Sequence, residues 1–229
     1  MKNTESQGNS KPVTTNQQGL HDRLEEIVLR HLNHPFRKPF ADHTLKAFAE
    51  AEAWLSQRTG PLILDSCCGV GESSRALAVK HPDASVIGVD RSFHRLQKHE
   101  HCFETPASNL LFVRADLIDF WRLAVAAGWT LNKHYILYPN PYPKASQVQR
   151  RWHASPVFRT IIELGGTLTV RSNWQLYIDE FAKALSLAGL EASSELYRSD
   201  EPMTAFEIKY WASDQETWQC VVSLNSPDR

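Results

Sequence analysis

Leu64-Asp65-Ser66-Cys67-Cys68-Gly69-Val70-Gly71-Glu72-Ser73-Ser74 has the pattern of a strand followed by a glycine turn and the start of a helix. The apolar run before it predicts a buried strand, and its two glycines predict a tight turn into a helix, where the backbone can pass close to a ligand. The turn differs from the dinucleotide fingerprint G-x-G-x-x-G, because Ser74 stands where the third glycine would follow Gly69 and Gly71. Glu72 at the helix start would repel a pyrophosphate, so the turn favours a ligand without phosphates.

Strands and helices alternate along the rest of the chain. The predicted parallel strands are residues 62–64, 85–89, 110–113, 135–137 and 167–170. The predicted helices that follow them are residues 73–80, 93–101, 118–127, 155–164 and 174–188. An antiparallel hairpin of residues 206–211 and 217–224 is predicted to close the sheet. This order predicts an α/β fold with a mostly parallel seven-stranded sheet, an antiparallel C-terminal hairpin and helices on both faces.

The domain organisation follows from length and composition. Residues 1–19 are polar and predict a disordered tail. Residues 20–229 are long enough for a single α/β domain with a full core. Within this domain, residues 20–58 are predicted to form an N-terminal helical extension, with helices at residues 20–32 and 42–56.

The bulk composition excludes several classes of protein. Hydrophobic residues make up 42% of the chain and charged residues 22%, which is typical of a soluble globular protein. No apolar run approaches the roughly 20 residues of a membrane helix, and the N-terminus has no signal-peptide core. Neither a disulfide framework nor a zinc pattern emerges from Cys67, Cys68, Cys102 and Cys220, and the His94, His99, His101 and Cys102 group lies on a polar predicted helix. We expect a cytoplasmic protein without a metal.

Three acidic residues stand at the ends of three successive predicted strands, at the edge where open α/β sheets bind ligands. Asp90 can accept both hydroxyls of a ribose, and Asp116 can reach an adenine amino group. Asp65 would face an ammonium group or organise the glycine loop. Each acid alone could instead be a helix N-cap, but their joint order predicts S-adenosylmethionine as cofactor. The predicted cofactor-binding residues are Asp65, Cys67, Gly69, Gly71, Asp90, Arg91, Asp116 and Asn140.

A proline-rich loop, Tyr138-Pro139-Asn140-Pro141-Tyr142-Pro143-Lys144, follows the predicted strand at residues 135–137. Its prolines cannot donate to a strand ladder, so they end the strand and direct the chain out at the ligand edge. The loop offers an amide, an aromatic ring and a lysine, which suit a planar nitrogenous ring. An ordinary proline-rich turn is the alternative interpretation.

Positive charge is concentrated around this loop although the net charge of the chain is −1. Residues 120–162 contain no Asp or Glu. They carry Arg122, Lys133, Lys144, Arg150, Arg151 and Arg159. A basic patch beside a ligand edge would attract a polyanion, and a solvated basic face is the alternative.

These motifs resemble those of the bacterial tRNA (guanine-46-N7)-methyltransferases. That family's Pro-Asp-Pro-Trp-Pro-Lys segment and basic run correspond without a gap to residues 139–151. Its Gly-Gly pair corresponds to Gly165-Gly166, its Thr-Asp pair to Ser172-Asn173, and its Thr-x-Phe-Glu motif to residues 204–207. The resemblance covers roughly residues 62–209 and identifies a divergent member with the Rossmann-like fold of class I S-adenosylmethionine-dependent methyltransferases.

The resemblance implies a role for each matching position. Asn140 would be the catalytic residue, placed between the cofactor and the base. The substrate would be tRNA, bound by Tyr142, Lys144, Arg150, Arg151, Ser172, Asn173, Thr204 and Glu207. Guanine N7 has a free lone pair, so methyl transfer to it needs positioning rather than a general base.

The departures from the family leave alternatives open. Asn140 and Asn173 replace two carboxylates of the family, and residues 145–149 have lost most of its basic run. A carboxylate only accepts, whereas an amide donates and accepts, so each lost charged acceptor weakens guanine recognition by about 1.5–3 kcal/mol. Fewer phosphate contacts lower the affinity for tRNA. The alternatives are methylation of an amine on another RNA site or a small molecule, and a non-catalytic relative that binds the cofactor or RNA.

Overall fold

The computed structural model describes residues 9–92 and 108–224. The predicted helix at residues 93–101, together with the group His94, His99, His101 and Cys102, lies outside these ranges. Among the residues that are described, no helix is both long enough and apolar enough to cross a membrane.

The described elements alternate after two N-terminal helices, as the sequence predicts. The helices are α1 (Leu24–Asn33), α2 (Asp42–Leu55), α3 (Glu72–Lys80), α4 (Leu117–Ala126), α5 (Phe158–Glu163), α6 (Gln175–Leu187) and α7 (Ala205–Trp211). The strands are β1 (Leu62–Ser66), β2 (Ser85–Asp90), β3 (Leu110–Arg114), β4 (Lys133–Leu137), β5 (Thr167–Ser172), β6 (Glu195–Tyr197) and β7 (Thr217–Ser223). Two 3₁₀ turns, Ala145–Arg150 and Trp152–Ala154, lie between β4 and α5.

The seven strands form one sheet in the order β3-β2-β1-β4-β5-β7-β6. Strands β1 to β5 are parallel, and β1 pairs with β2 on one side and with β4 on the other. The chain therefore moves outward from β1 to β3 and then returns to the opposite side of β1. This reversal creates a topological switch point between β1 and β4, which is where open α/β sheets bind their ligands.

The antiparallel pair at the end of the sheet is present, but one of its strands differs from the prediction. Strand β7 pairs with β5 and with β6, whereas the segment predicted as a strand at residues 206–211 is helix α7. The Thr204 hydroxyl caps this helix by accepting from the Glu207 amide at 3.1 Å. The capping pattern Thr-x-x-Glu was the signal for a helix, and it outweighs the alternating apolar residues that suggested a strand.

Close packing between α3 and the sheet depends on Gly88 in β2. A Cβ atom at this position would lie 2.5 Å from the Ser74 hydroxyl and 3.0 Å from the Phe112 ring. The glycine therefore lets the first turn of α3 sit directly on the sheet, beside the ends of β1 and β2.

The two N-terminal helices pack into the same core cluster on one face of the sheet. The apolar face of α1 buries Leu24, Ile27 and Val28, and this helix packs against α6. Helix α2 packs against α4, where the Phe48 ring contacts the Phe120 ring at 5.3 Å.

Residues 9–19 differ from the disordered tail that their composition predicts. This segment crosses the domain and forms hydrogen bonds with the proline-rich loop and with α6. The Thr15 hydroxyl donates to the Pro143 carbonyl at 2.6 Å, and the Asn16 side chain accepts from the Ala145 amide at 3.1 Å. Polar side chains of residues 9–19 thus have specific partners within the domain.

Candidate active site

The loops after β1 and β4 face each other across the switch point. Strand β1 ends at Ser66, whose register partner in β4 is Ile136. The glycine loop, residues 67–71, follows β1, and the proline-rich loop, residues 138–144, follows β4. The two segments that the sequence predicts to bind ligands are thus neighbours at one edge of the sheet.

The glycine loop is a compact turn in the left-handed backbone region. The φ angles of Cys67, Gly69 and Gly71 are 63°, 59° and 76°. Asp90 holds the loop against the end of β2, because its carboxylate accepts from the Gly69 amide at 3.1 Å and from the Ser92 amide at 2.7 Å. The acid is 5% exposed and ends β2 at the ligand edge of the sheet. Asp90 therefore orders the glycine loop from a position beside the switch point.

Asp65 lies beneath the same loop and is fully buried. One of its oxygens accepts from the hydroxyls of Ser73 and Ser74, both at 2.6 Å, which fixes the start of α3. Its Oδ1 atom has no hydrogen-bond partner among the described residues. Burial, which outweighs the two serine hydrogen bonds, raises the pKa of Asp65 to about 6.

The raised pKa makes stability depend on pH in a predictable direction. Between about pH 4 and pH 6 folded Asp65 binds more protons than unfolded Asp65, so the free energy of unfolding falls as pH rises through this window. The variant Asp65→Asn has no such titration, so its stability relative to the wild type should rise by about 2.4 kcal/mol from pH 4 to pH 7. Urea denaturation of both proteins at several pH values measures the difference. Parallel stability curves would contradict this assignment.

The other predicted cofactor residues have distinct surroundings. Asp116 caps α4, because its carboxylate accepts from the Ile118 amide at 2.9 Å. Arg91 is exposed just after β2. Asp116 thus acts as a helix N-cap, and its contact with adenine stays a prediction, while Asp65 and Asp90 both organise the glycine loop.

The proline-rich loop is held in a strained shape. Tyr138 and Tyr142 have φ angles of 50° and 45°, which are unusual for residues with side chains. Asn140 is exposed at the turn between them, and its Oδ1 atom accepts from the Tyr142 amide at 3.2 Å. Its Nδ2 atom makes no hydrogen bond to any residue that the structure describes. The amide is thus oriented by the backbone and presents donor atoms outward.

Glu207 anchors the first residue of this loop from below. The Tyr138 hydroxyl donates to Glu207 at 3.1 Å, and Arg171 donates to the same oxygen at 3.0 Å. The other carboxylate oxygen accepts from the Met203 amide at 2.6 Å. Glu207 is fully buried, so its contacts differ from the predicted substrate role and support the loop instead.

Arg151 is buried behind the loop, away from solvent. It forms an ion pair with Glu180, and its guanidinium also donates to the carbonyls of Tyr142 at 3.2 Å and Lys144 at 3.4 Å. Its charged group lies 4.8 Å from the Trp174 ring centre. The resemblance predicts Arg151 as a substrate-binding residue, but in the structure it supports the backbone of the loop.

Glu180 joins Arg151 to the N-terminal segment. Its carboxylate accepts from Gln17 at 2.6 Å, from the His21 amide at 2.9 Å and from His153 at 3.0 Å. Burial alone would raise the pKa of Glu180, but the hydrogen bonds and charges of His153 and Arg151 outweigh burial and lower this pKa to about 2. Sequence reasoning missed this network. The only local sequence signal for this network is a glutamate within the apolar face of α6.

The remaining predicted substrate residues fall into two groups. Lys144 and Arg150 are exposed beside the loop, and the Arg150 guanidinium lies 5.8 Å from the Tyr142 ring centre. The other group makes internal contacts. Ser172 accepts from the Trp174 amide at 3.1 Å, Asn173 donates to Gln215 at 3.0 Å, and Thr204 caps α7. Among the described residues, no group of three or more His, Cys, Asp or Glu side chains could hold a metal ion.

Comparisons with known proteins agree with this geometry. A family model described as "Putative methyltransferase" matches residues 59–220. The chain is 27% identical over 215 residues to the tRNA (guanine-N(7)-)-methyltransferase of Nocardia farcinica, covering 86% of this chain and 75% of that protein. It is 27% identical over 138 residues to the protein of the same name from Leifsonia xyli subsp. xyli, covering 56% of this chain and 58% of that protein. The chain thus spans less than two thirds of the Leifsonia relative's length.

Solved structures share the same fold. The 16S rRNA methyltransferase KamB matches with a TM-score of 0.56 and 18% identity, covering 81% of this chain and 95% of that one. The aminoglycoside resistance methyltransferase NpmB1 matches with a TM-score of 0.53 and 20% identity, covering 76% and 93%. The sheet order and these matches define a class I methyltransferase fold. The family match covers more than half of the chain, and the chain belongs to this methyltransferase family.

Proposed function

We propose that this protein transfers a methyl group from S-adenosylmethionine to guanine N7 in tRNA. The observation that carries the proposal is the meeting of the glycine loop and the proline-rich loop at the switch point between β1 and β4. The tRNA (guanine-N(7)-)-methyltransferases among the relatives support the choice of reaction and substrate. An enzyme of this kind would act in the cytoplasm.

The residues around the glycine loop fit this cofactor. S-adenosylmethionine supplies an electrophilic methyl group on a sulfonium centre when it is bound. Asp90, a carboxylate at the end of β2 that also orders the glycine loop through the Gly69 and Ser92 amides, would accept the two ribose hydroxyls. Asp65 has one buried oxygen without a partner, which could accept a hydrogen bond from the ammonium group or from a water beside it. The cofactor carries no phosphate, so Glu72 at the start of α3 does not oppose its binding.

Asn140 would position the acceptor base. Guanine N7 needs no deprotonation before it attacks, so the task of this residue is orientation. The Asn140 amide is exposed at the loop tip and held by the Tyr142 amide. Its donor group could bond the O6 acceptor beside N7 on the guanine edge. Lys144 and Arg150 would contact the tRNA backbone as exposed cations, whereas buried Arg151 would not.

The variant Asn140→Asp tests the assignment of the catalytic position. A carboxylate cannot donate, so Asn140→Asp would lose the hydrogen bond to guanine O6, worth about 1–1.5 kcal/mol, and would place a negative charge beside the O6 and N7 acceptors. We expect kcat/KM for tRNA to fall by at least about fivefold to tenfold in both Asn140→Asp and Asn140→Ala. The measurement is transfer of label from S-adenosylmethionine to total tRNA, with nucleoside analysis for 7-methylguanosine.

The matched control for this experiment is Asn132→Asp. Asn132 is an exposed asparagine immediately before β4, at the opposite edge of the sheet, and the change should not alter the rate. Label in a nucleoside other than 7-methylguanosine would reject guanine N7 as the acceptor. Cofactor binding without any transfer would reject catalysis and favour a binding role.

A further inference from the structure

Helix α7 is attached to both sides of the candidate active site. At its start, the Ala205 amide donates to the Glu72 carboxylate at 2.6 Å, and Glu72 directly follows the glycine loop. One residue further, the ring of Phe206 lies 6.1 Å from the ring of Tyr138, which begins the proline-rich loop. Phe206 is therefore placed between the two loops that form the crevice.

The Phe206 ring is supported on its inner side and open on its outer side. It stacks on Tyr210 one helical turn away, with ring centres 5.9 Å apart and planes inclined by 23°. Tyr210 in turn lies 5.6 Å from the mostly buried Tyr138. Phe206 itself is 49% exposed. A ring fixed in this way loses little conformational entropy when a flat ligand covers its free face.

The other members of the Thr204–Glu207 segment cannot serve this purpose. Thr204 is 8% exposed and caps the helix, and Glu207 is fully buried under the proline-rich loop. The side chain of Ala205 is a single methyl group, which offers a ligand little surface. Phe206 is thus the residue through which this segment can contact a ligand with its side chain.

We propose that Phe206, backed by Tyr138 and Tyr210, is a stacking platform for the purine base that receives the methyl group. The proposal rests on the proposed function and deepens it, because it assigns the face of the base to Phe206 and its edge to Asn140. Single-stranded bases extruded from RNA are commonly stacked on aromatic side chains. Stacking of this kind tolerates any base, so it complements the edge contacts of Asn140.

A planar ligand fits this surface better than a protein partner does. The next exposed apolar residue on α7 is Ile208, which is 57% exposed. It lies two positions along the helix, about 200° around the axis from Phe206, and so on the opposite side. The apolar surface at the crevice is therefore one aromatic face rather than a broad patch.

The experiment compares Phe206→Leu, Phe206→Tyr and Ile208→Ala with the wild type. Stacking on an aromatic residue contributes about 1–3 kcal/mol per base, so Phe206→Leu should lower kcat/KM for tRNA about tenfold to a hundredfold. The aromatic replacement in Phe206→Tyr should restore nearly wild-type kcat/KM, and Ile208→Ala should leave it unchanged. Calorimetric titration with S-adenosylmethionine should give the same dissociation constant for all four proteins.

A second readout separates this proposal from the proposed function. Saturation-transfer NMR with guanosine 5′-monophosphate should show contact with the wild type and with Phe206→Tyr, and should lose it in Phe206→Leu. If the wild type methylates no tRNA but this contact depends on Phe206, the platform is supported and the tRNA assignment fails. Wild-type behaviour of Phe206→Leu in both assays, equal losses in Phe206→Leu and Phe206→Tyr, or weaker cofactor binding in Phe206→Leu would each overturn the platform.

Discussion

Replacement of Arg151 by methionine should lower the free energy of unfolding by about 3–5 kcal/mol, because it leaves Glu180 as a buried charge without its main partner. Glu180 and Arg151 are both fully buried, and the arginine also holds the Tyr142 and Lys144 carbonyls. Methionine fills much of the same volume, so the loss reflects charge and hydrogen bonds rather than a cavity. The midpoint of urea denaturation measures the effect.

The neighbouring arginine provides a matched control. Arg150 has the same chemistry and lies one position earlier, but it is exposed. Arg150→Met should therefore change the free energy of unfolding by no more than about 0.5 kcal/mol. Adding Glu180→Gln to Arg151→Met should recover part of the loss, because no unpaired charge then remains. Equal midpoints for Arg150→Met and Arg151→Met would refute the buried ion pair.

Replacement of Asp90 by asparagine should weaken S-adenosylmethionine binding by at least about a hundredfold. Two charged hydrogen bonds to ribose hydroxyls would be lost or weakened, each worth about 1.5–3 kcal/mol. In the wild type the Gly69 and Ser92 amides donate to different carboxylate oxygens of Asp90. An asparagine has only one acceptor oxygen for these two amides. Calorimetric titration with S-adenosylmethionine measures the dissociation constant.

The control for this experiment is an aspartate at the other end of β2, on the opposite edge of the sheet. Asp83 is exposed, two residues before β2 begins, whereas Asp90 ends that strand. Asp83→Asn should leave cofactor affinity unchanged. An unchanged dissociation constant in Asp90→Asn, with Asp83→Asn also unchanged, would remove Asp90 from the cofactor site and limit its role to holding the glycine loop.

Much of the fold could be predicted from local patterns. Apolar runs marked β1 to β5, because strands buried on both faces need continuous apolar sequence. The prolines around Asn140 placed a loop at the ligand edge, because proline cannot continue a strand ladder. The segment predicted as a strand at residues 206–211 is helix α7, although the Thr204 cap at its start is a local sequence signal for a helix.

The roles of individual side chains were less predictable. Arg150 and Arg151 are adjacent and chemically identical, yet one is exposed and the other is fully buried. Glu207 was expected to contact substrate but supports Tyr138 from below. Asp116, which the sequence predicts to contact adenine, also caps α4. In each case the nearest partner in space, rather than the residue type, determines which interactions the side chain makes.

Local sequence patterns are enough to predict the α/β order, the glycine loop and the proline-rich loop, because the physical causes of these features act within a few residues. The burial of charges and the contacts of residues 9–19 depend instead on the tertiary structure. Gln17 and Glu180 are 163 positions apart, and Arg151 and Glu180 are 29 apart. Such pairs form only when the sheet order brings distant segments together, since burial and partners depend on all the elements that surround a residue.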